Sequence, residues 1–346
     1  MSGERIGVGL IGLGNSGWHY HAEGTLAGSA DFDLVAVTSA RAERREAAAA
    51  RFDAVAHQDW HGLIADDRVE VVVVATPHHL RESVAVAALA AGKHVVVEKP
   101  MAVTTAQAGA MLDAAQAHGR ILTVFQNRRW EPSFRLIRRL VGEGEVGPVW
   151  RVEERRMHGG KYVVAGTDRP HAGSDLATWA HRGGGGGVSY LIAPHLIDHQ
   201  VVLHGGPPET VSAVMHTYAD DEVEHYLDLR LGFGGGVLSR IEIFRENVLD
   251  LPKWAVFGEQ GAIICDDFTS LRLERADGTT QHYGDLAPLQ SCDEFYHQLA
   301  AAIRGHGPVP VDPREAAHTV AVLEAAHASA RAGGDLVRLV TVDGAQ

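Results

Sequence analysis

Ile6-Gly-Val-Gly-Leu-Ile11-Gly12-Leu-Gly14-Asn15-Ser16-Gly17 is the stretch that decides the fold. An apolar run compatible with a buried strand leads directly into three glycines spaced G-x-G-x-x-G, and a helical stretch follows. The first glycine makes a tight turn, the second lets the backbone approach a pyrophosphate, and the third packs helix against strand. The helix start beyond them offers free N–H groups and a partial positive charge to phosphates. A glycine turn alone is a weak signal. Its meaning depends on what surrounds it.

Outward from this turn, short β-branched runs alternate with Ala-rich helical stretches up to about residue 127. Strands are expected at Ile6–Ile11, Leu34–Val37, Val71–Ala75, Val95–Val97 and Ile121–Phe125. Helices are expected at Ala42–Arg51, Ser83–Ala91 and Thr105–His118. Val71–Val74 is unbroken apolar sequence, as in a parallel strand covered on both faces. Repeated βαβ units around a phosphate-binding turn predict a Rossmann domain over residues 1–127.

After residue 130 the pattern changes. A basic helix (Phe134–Leu140) precedes alternating segments at Val149–Met157, Thr210–Tyr218, His225–Phe233, Gly236–Phe244, Trp254–Phe257 and Ala262–Cys265, with helices near Asp293–Arg304 and Arg314–Ala330. Residues 128–346 are therefore expected to form an α+β domain with a largely antiparallel open sheet. The exposed face of that sheet is expected to need a partner over its apolar positions, which predicts a homodimer or homotetramer.

The cofactor preference is read at the end of the second strand. An NAD enzyme usually places an acid there for the ribose 2′-OH. Here the sequence is Val37-Thr38-Ser39-Ala40-Arg41, and Asp31 and Asp33 lie at the other end. A Ser39 hydroxyl and an Arg41 guanidinium suit a 2′-phosphate, with Arg44 or Arg45 in support. The expectation is NADP, with NAD possible. At the end of the buried strand His94–Val97 stand Glu98, Lys99 and Pro100. Ligands of open parallel sheets bind outside the carboxyl ends of the strands, so Lys99 is placed at the cofactor cleft. An oxidised nicotinamide nearby is a like charge and would lower its pKa toward a range useful for proton transfer.

The glycine turn, Ala75-Thr76-Pro77, Ala91–His94, Glu98-Lys99-Pro100, Asn127-Arg128-Arg129, Gly185-Gly186-Gly187 and Pro194-His195-Leu196-Ile197-Asp198 follow one another in order. This combination resembles the Gfo/Idh/MocA oxidoreductases over most of the chain. The resemblance implies hydride transfer to or from a secondary alcohol of a sugar or polyol. Lys99 and His195 are the implied catalytic residues. Asn127, Arg129, Leu191, His195 and Asp198 are implied around the substrate. Gly12, Gly14, Asn15, Ser16, Gly17, Ser39, Arg41, Thr76, Pro77, Glu98 and Lys99 form the expected cofactor set.

Two positions depart from the family pattern: His78 follows Thr76-Pro77 where the family often has asparagine, and an aspartate usually stands four residues before the histidine. Leu191 stands there. A leucine accepts no hydroxyl hydrogen bond, so it marks either a less polar substrate or a cofactor-binding sensor that has lost turnover. Tyr162 and Trp179 are candidates to stack on a sugar ring or to serve as packing residues. His195 and His199, in an H-x-x-D-H pattern, also suggest a metal pair, but no second cluster has ligand spacing and no metal is expected.

Composition agrees with this reading. The 346 residues carry 31 Lys and Arg against 44 Asp and Glu, a net charge of −13. That balance repels phosphate backbones and anionic lipid, so neither nucleic acid nor a membrane is an expected partner. No apolar run approaches the roughly 18 residues of a spanning helix. Two cysteines, Cys265 and Cys292, make neither a disulfide framework nor a thiolate zinc site. The start lacks the pattern of a signal peptide, and a cytoplasmic location is expected.

Overall fold

A computed structural model of the chain describes residues 5–159, 186–217, 222–247, 251–287 and 292–341. Tyr162, Trp179, Gly185 and Tyr218, named above, lie outside the described residues. The chain divides into two compact units, Met1–Asn127 with Gln290–Ala317, and Arg128–Leu289 with His318–Gln346.

The first unit is built on six parallel strands: β1 (Ile6–Ile11), β2 (Phe32–Thr38), β3 (Val55–Ala56), β4 (Val71–Val74), β5 (His94–Val97) and β6 (Leu122–Val124). Their order is β3-β2-β1-β4-β5-β6, so the chain reverses its direction of progress between β1 and β4. That reversal opens a crevice at the carboxyl ends, the usual dinucleotide position. All four β4 valines are fully buried. The helix Thr105–His118 begins where the Thr104 side chain accepts the Gln107 N–H and ends at Gly119 in the left-handed region (φ 58°). β3 and the helix Trp60–Ile64 were not expected from sequence; at two and five residues they are too short to display a period.

The expected split into 1–127 and 128–346 requires a correction. The helix Asp293–Ile303 returns to the first unit. Its buried stripe of Phe295, Tyr296 and Leu299 explains why. Tyr296 meets Phe32 edge-on at 5.4 Å, and Phe295 meets Phe125 at 5.0 Å. Further along, Val311 accepts a hydrogen bond from the buried Thr123 hydroxyl at 2.8 Å. Sequence order and spatial order differ here because the parallel sheet needs an apolar cover that its own first 127 residues do not supply.

The second unit carries a nine-stranded sheet of β7 (Val149–Gly159), β8 (Thr210–His216), β9 (Tyr226–Gly232), β10 (Leu238–Asn247), β11 (Trp254–Gly258), β12 (Gly261–Cys265), β13 (Leu271–Arg275), β14 (Thr280–Tyr283) and β15 (Val337–Arg338). β7 and β10 pair in parallel and every other neighbouring pair is antiparallel. One face is apolar and covered. Leu196, Ile197 and Val201 of the helix Ala193–His204 join Leu229, Leu231, Ile241 and Ile243 in one core. Phe134 and Ile137 of the helix Pro132–Gly142 join Val152, Val256 and Ile263 in another.

The opposite face differs from expectation. Instead of an apolar stripe awaiting cover, it bears a run of alternating charges across three strands. Glu153 lies between Arg151 and Arg155, and Arg155 bonds Glu242 at 2.8 Å. Arg240 then spans Glu242 (2.8 Å) and Asp228 (2.9 Å), and Arg230 closes on Asp228 at 2.9 Å. Side chains of alternate residues share a face, so an Arg/Glu alternation at period two on adjacent strands forms such a lattice. Val214 and Leu238, 50% and 60% exposed, flank it.

Candidate functional site

The glycine turn is built as its spacing requires. Gly12 has φ +100°, and a Cβ there would stand 2.4 Å from the Ala75 carbonyl oxygen. A Cβ on Gly17 would stand 1.9 Å from the Gly12 carbonyl oxygen, so only glycine permits this approach. A Cβ on Gly14 would meet nothing within 4 Å. The second glycine thus faces open space, as a backbone cradle for a pyrophosphate must. The helical stretch expected after the turn is Ser16–Glu23, wound as a π-helix. Asn15 precedes it, and Trp18 N–H closes on the Gly14 carbonyl at 2.9 Å.

The other expected cofactor residues of this unit stand at the same carboxyl edge of the sheet. Ser39 and Arg41 follow β2, Thr76 and Pro77 follow β4, and Glu98 and Lys99 follow β5, where Lys99–Pro100 is cis. Ser39 is half-buried and Arg41 exposed. Behind them Arg45 Nη1 donates to the Ser39 carbonyl at 2.6 Å, and Arg44 Nη1 to the Leu13 carbonyl at 2.5 Å. Asn127 follows β6, and its side-chain nitrogen lies 3.7 Å from the Cys292 sulfur.

Two features beneath this edge were not legible in sequence. The first is Arg81, which is 5% exposed within the helix His78–Ala90. Its guanidinium donates to the Thr76 carbonyl (3.0 Å), the Glu98 carbonyl (2.8 Å) and the Pro100 carbonyl. It fastens the ends of β4 and β5 together. Burial lowers its pKa to about 10, opposed by the charge of Glu98, which leaves it cationic at neutral pH. A single arginine in an apolar helix face was the available signal. The second feature is the Glu98 carboxylate, which turns inward to Ser16 and His21 and accepts the Lys99 backbone N–H at 3.0 Å. Burial pushes the Glu98 pKa up, yet the His21 hydrogen bond and the charges of Arg81 and Lys99 hold it below the ordinary value.

In the second unit, Leu191 ends the short helix Gly187–Leu191, and His195 sits buried in the first turn of Ala193–His204. Asp198 and Arg129 form a two-pronged pair, Nε to Oδ2 at 2.7 Å and Nη2 to Oδ1 at 2.6 Å. Asp198 is 1% exposed, so this pair is structural in its reach. His199, the partner in the H-x-x-D-H pattern, has both ring nitrogens engaged. Nδ1 lies 2.9 Å from Glu154 and Nε2 lies 3.1 Å from the Arg128 carbonyl. The ring stacks on Phe134 at 4.0 Å. Burial raises the Glu154 pKa. Among the described residues no three His, Cys, Asp or Glu side chains could hold a metal ion, and no helix is long and apolar enough to cross a membrane.

Comparison with known proteins agrees with these two constructions. Residues 6–126 match the oxidoreductase family with an NAD-binding Rossmann fold, Gfo/Idh/MocA, and residues 134–264 match a C-terminal domain of that same family. The chain is 37% identical over 205 residues to the uncharacterized oxidoreductase YdgJ of Escherichia coli, covering 59% of this chain and 55% of that protein. It is 26% identical to IolW of Bacillus subtilis, a scyllo-inositol 2-dehydrogenase (NADP+), over 95% of this chain and 94% of that one. A solved levoglucosan dehydrogenase, in complex with NADH and levoglucosan, shares the fold with a TM-score of 0.82 at 23% identity, over 97% and 100% of the two chains. With both domains matched in order, and with the glycine turn shaped for a dinucleotide, the chain belongs to the Gfo/Idh/MocA oxidoreductase family.

Proposed function

We propose that the protein is an NADP-dependent oxidoreductase acting between a secondary alcohol and a ketone of a sugar, an inositol or a related polyol. The observation that carries this reading is Lys99, at the carboxyl end of β5 on the same edge as the glycine turn. The likeness to an inositol dehydrogenase over nearly the whole chain supports the substrate class. When bound, the nicotinamide supplies or accepts the hydride. The Gly12–Gly17 backbone would hold the pyrophosphate, with Asn15, Ser16, Thr76 and Pro77 bordering the cofactor. Ser39 and Arg41 would read the 2′-phosphate, since Ser39, Ala40 and Arg41 directly follow β2 where an NAD enzyme usually has an acid for the free 2′-OH. Lys99 Nζ would hold the hydroxyl proton and move it as the carbinol is oxidised or the carbonyl reduced. His195 would be the second acid–base or orienting group. Asn127 would position the substrate, and Arg129 with Asp198 would brace the His195 helix. A homodimer or homotetramer through the open sheet and a cytoplasmic location complete the proposal.

Leu191 favours a second reading, a sensor of the same fold that binds the cofactor without turnover. The test is NADPH oxidation and NADP reduction across a panel of sugars, inositols and small ketones. Turnover on at least one member is expected. Tight cofactor binding with no turnover on any member would favour the sensor. Leu191→Asp sharpens the result: it should lower activity on a native, less polar substrate, or raise activity from near zero on simple polyols if the chain is a decayed enzyme.

A further inference from the structure

Beneath Lys99 runs a buried chain of hydrogen bonds that the proposal above does not use. Glu98 Oε2 accepts the Lys99 backbone N–H at 3.0 Å. Glu98 Oε1 accepts the Ser16 hydroxyl and faces His21 Nε2 at 3.2 Å. His21 Nδ1 in turn lies 2.6 Å from the Tyr296 hydroxyl. His21 is 0% exposed, Tyr296 1% and Glu98 5%. Rings enclose the chain. His21 lies 4.2 Å from Phe125, and Tyr296 is edge-on to Phe32 and Phe295, each at 5.4 Å.

Chemistry assigns the protons. An ionised Glu98 only accepts, so His21 Nε2 carries the hydrogen that reaches it. The Tyr296 hydroxyl, enclosed by these rings, needs an acceptor for its own proton, and the lone pair of Nδ1 provides one. One neutral tautomer of His21 satisfies both neighbours; the other sets the Nε2 lone pair against the carboxylate and leaves the Tyr296 proton without this acceptor. The charged and titratable groups around Glu98 are His21, Arg81 and Lys99, with Tyr296 and Cys292 from the returning helix.

We propose that Tyr296 and His21 are positioning residues for Lys99: the Tyr296 hydroxyl and the Glu98 carboxylate together hold the His21 tautomer that donates to Glu98, and Glu98 ties the Lys99 main chain to Ser16 of the glycine turn. One carboxylate thereby links the phosphate end of the cofactor crevice to its proton-transfer end. This inference rests on the reading of Lys99 as the proton-transfer residue.

The test compares full-length Tyr296→Phe, His21→Gln, His21→Leu and Lys99→Ala. Tyr296→Phe keeps the ring and removes one hydroxyl. It should lower kcat by about 3- to 10-fold, the scale of one neutral hydrogen bond, with KM and the NADPH Kd changed less than about 2-fold. By 15N histidine NMR, assigned by its loss in His21→Gln, the His21 signal should pass from the Nε2–H tautomer to a mixture in Tyr296→Phe. His21→Gln retains an amide donor toward Glu98, so it should keep more kcat than His21→Leu at equal NADPH affinity. An unchanged tautomer in Tyr296→Phe overturns the proposal whether or not a substrate has been found. So does an unchanged kcat in that variant when Lys99→Ala has lost turnover. Retained turnover in Lys99→Ala instead overturns the proton-transfer reading on which this one rests.

Discussion

At the edge of the parallel sheet, the residues of the candidate site are set by main chain. Gly12 holds a positive φ, Gly17 touches a carbonyl, and Arg81 gathers three more carbonyls at the ends of β4 and β5. In the second unit the corresponding residues are set by side chains. Asp198 is gripped by Arg129, His199 by Glu154, and Glu131 by Arg128 and Arg156. A main-chain device tolerates change in most neighbouring side chains but almost none at its glycines. A side-chain device fails when either partner is removed, because a buried charge is then left unpaired. The first construction suits a cofactor shared by many proteins. The second lets a substrate site vary pair by pair.

The largest expected effect falls at the main-chain edge. Lys99→Ala should cut kcat by roughly 10²- to 10⁴-fold while NADPH binding survives, because the glycine turn and not the lysine would hold the phosphates. Stopped-flow turnover and fluorescence titration measure the two separately, and parallel loss of both would break the division of labour. Next comes Arg129→Ala, which strands Asp198 in the core. It should destabilise the protein by about 3–5 kcal/mol in urea melts. A loss below about 1 kcal/mol would mean that the pair is not what holds the His195 helix.

Acid should also act on the side-chain construction. Burial pushes the Glu131 pKa up, but Arg156, Arg128 and His199 outweigh it and bring it down to about 2. A carboxyl group depressed on folding stabilises above its ordinary pKa, and that contribution fades as pH falls from about 4.5 toward 2. Glu131→Gln should therefore flatten the acid limb of stability against pH, measured by melting temperature between pH 7 and pH 3. An unchanged limb would show that other carboxylates dominate it.

A smaller effect is expected at Arg41. Arg41→Ala should weaken NADPH by roughly 10- to 100-fold and leave NADH nearly unchanged, since only the phosphate contact is lost. Equal weakening of both would show that Arg41 does not read the 2′-phosphate. The smallest concerns assembly. An interface built on the alternating charges of the open face should loosen with salt, because exposed ion pairs are screened. Light scattering at 0.05 and 1 M NaCl should show a mass above the monomer that falls at high salt. A salt-independent monomer would remove the oligomer from the proposal.

The same contrast explains what could be read in advance. The glycine turn, β1 and the helix Thr105–His118 were legible because glycines, β-branched runs and caps act on their near neighbours in sequence. The open sheet was legible as alternation, but the character of its outer face was not. Period two shows which residues share a face, but not that Arg151, Glu153 and Arg155 meet Glu242, Arg240 and Asp228 on other strands. His21 and Tyr296 carried no local sign, and Arg81 only that of a lone arginine in an apolar helix face, since their partners lie on other elements. His199 was visible as a candidate ligand, but Glu154, which engages it, lies 45 positions away.

The return of Asp293–Ile303 to the first unit bears on how the protein is made. A ribosome adding about 5–20 residues per second takes roughly 10–30 s between finishing β6 and emitting that helix. Through this interval Phe32 and Phe125 lack the aromatic cover that Phe295 and Tyr296 later bring, and His21 has no hydroxyl donor. The parallel sheet is thus translated long before its cover, and the first unit closes only after residues 128–289 of the second have been made.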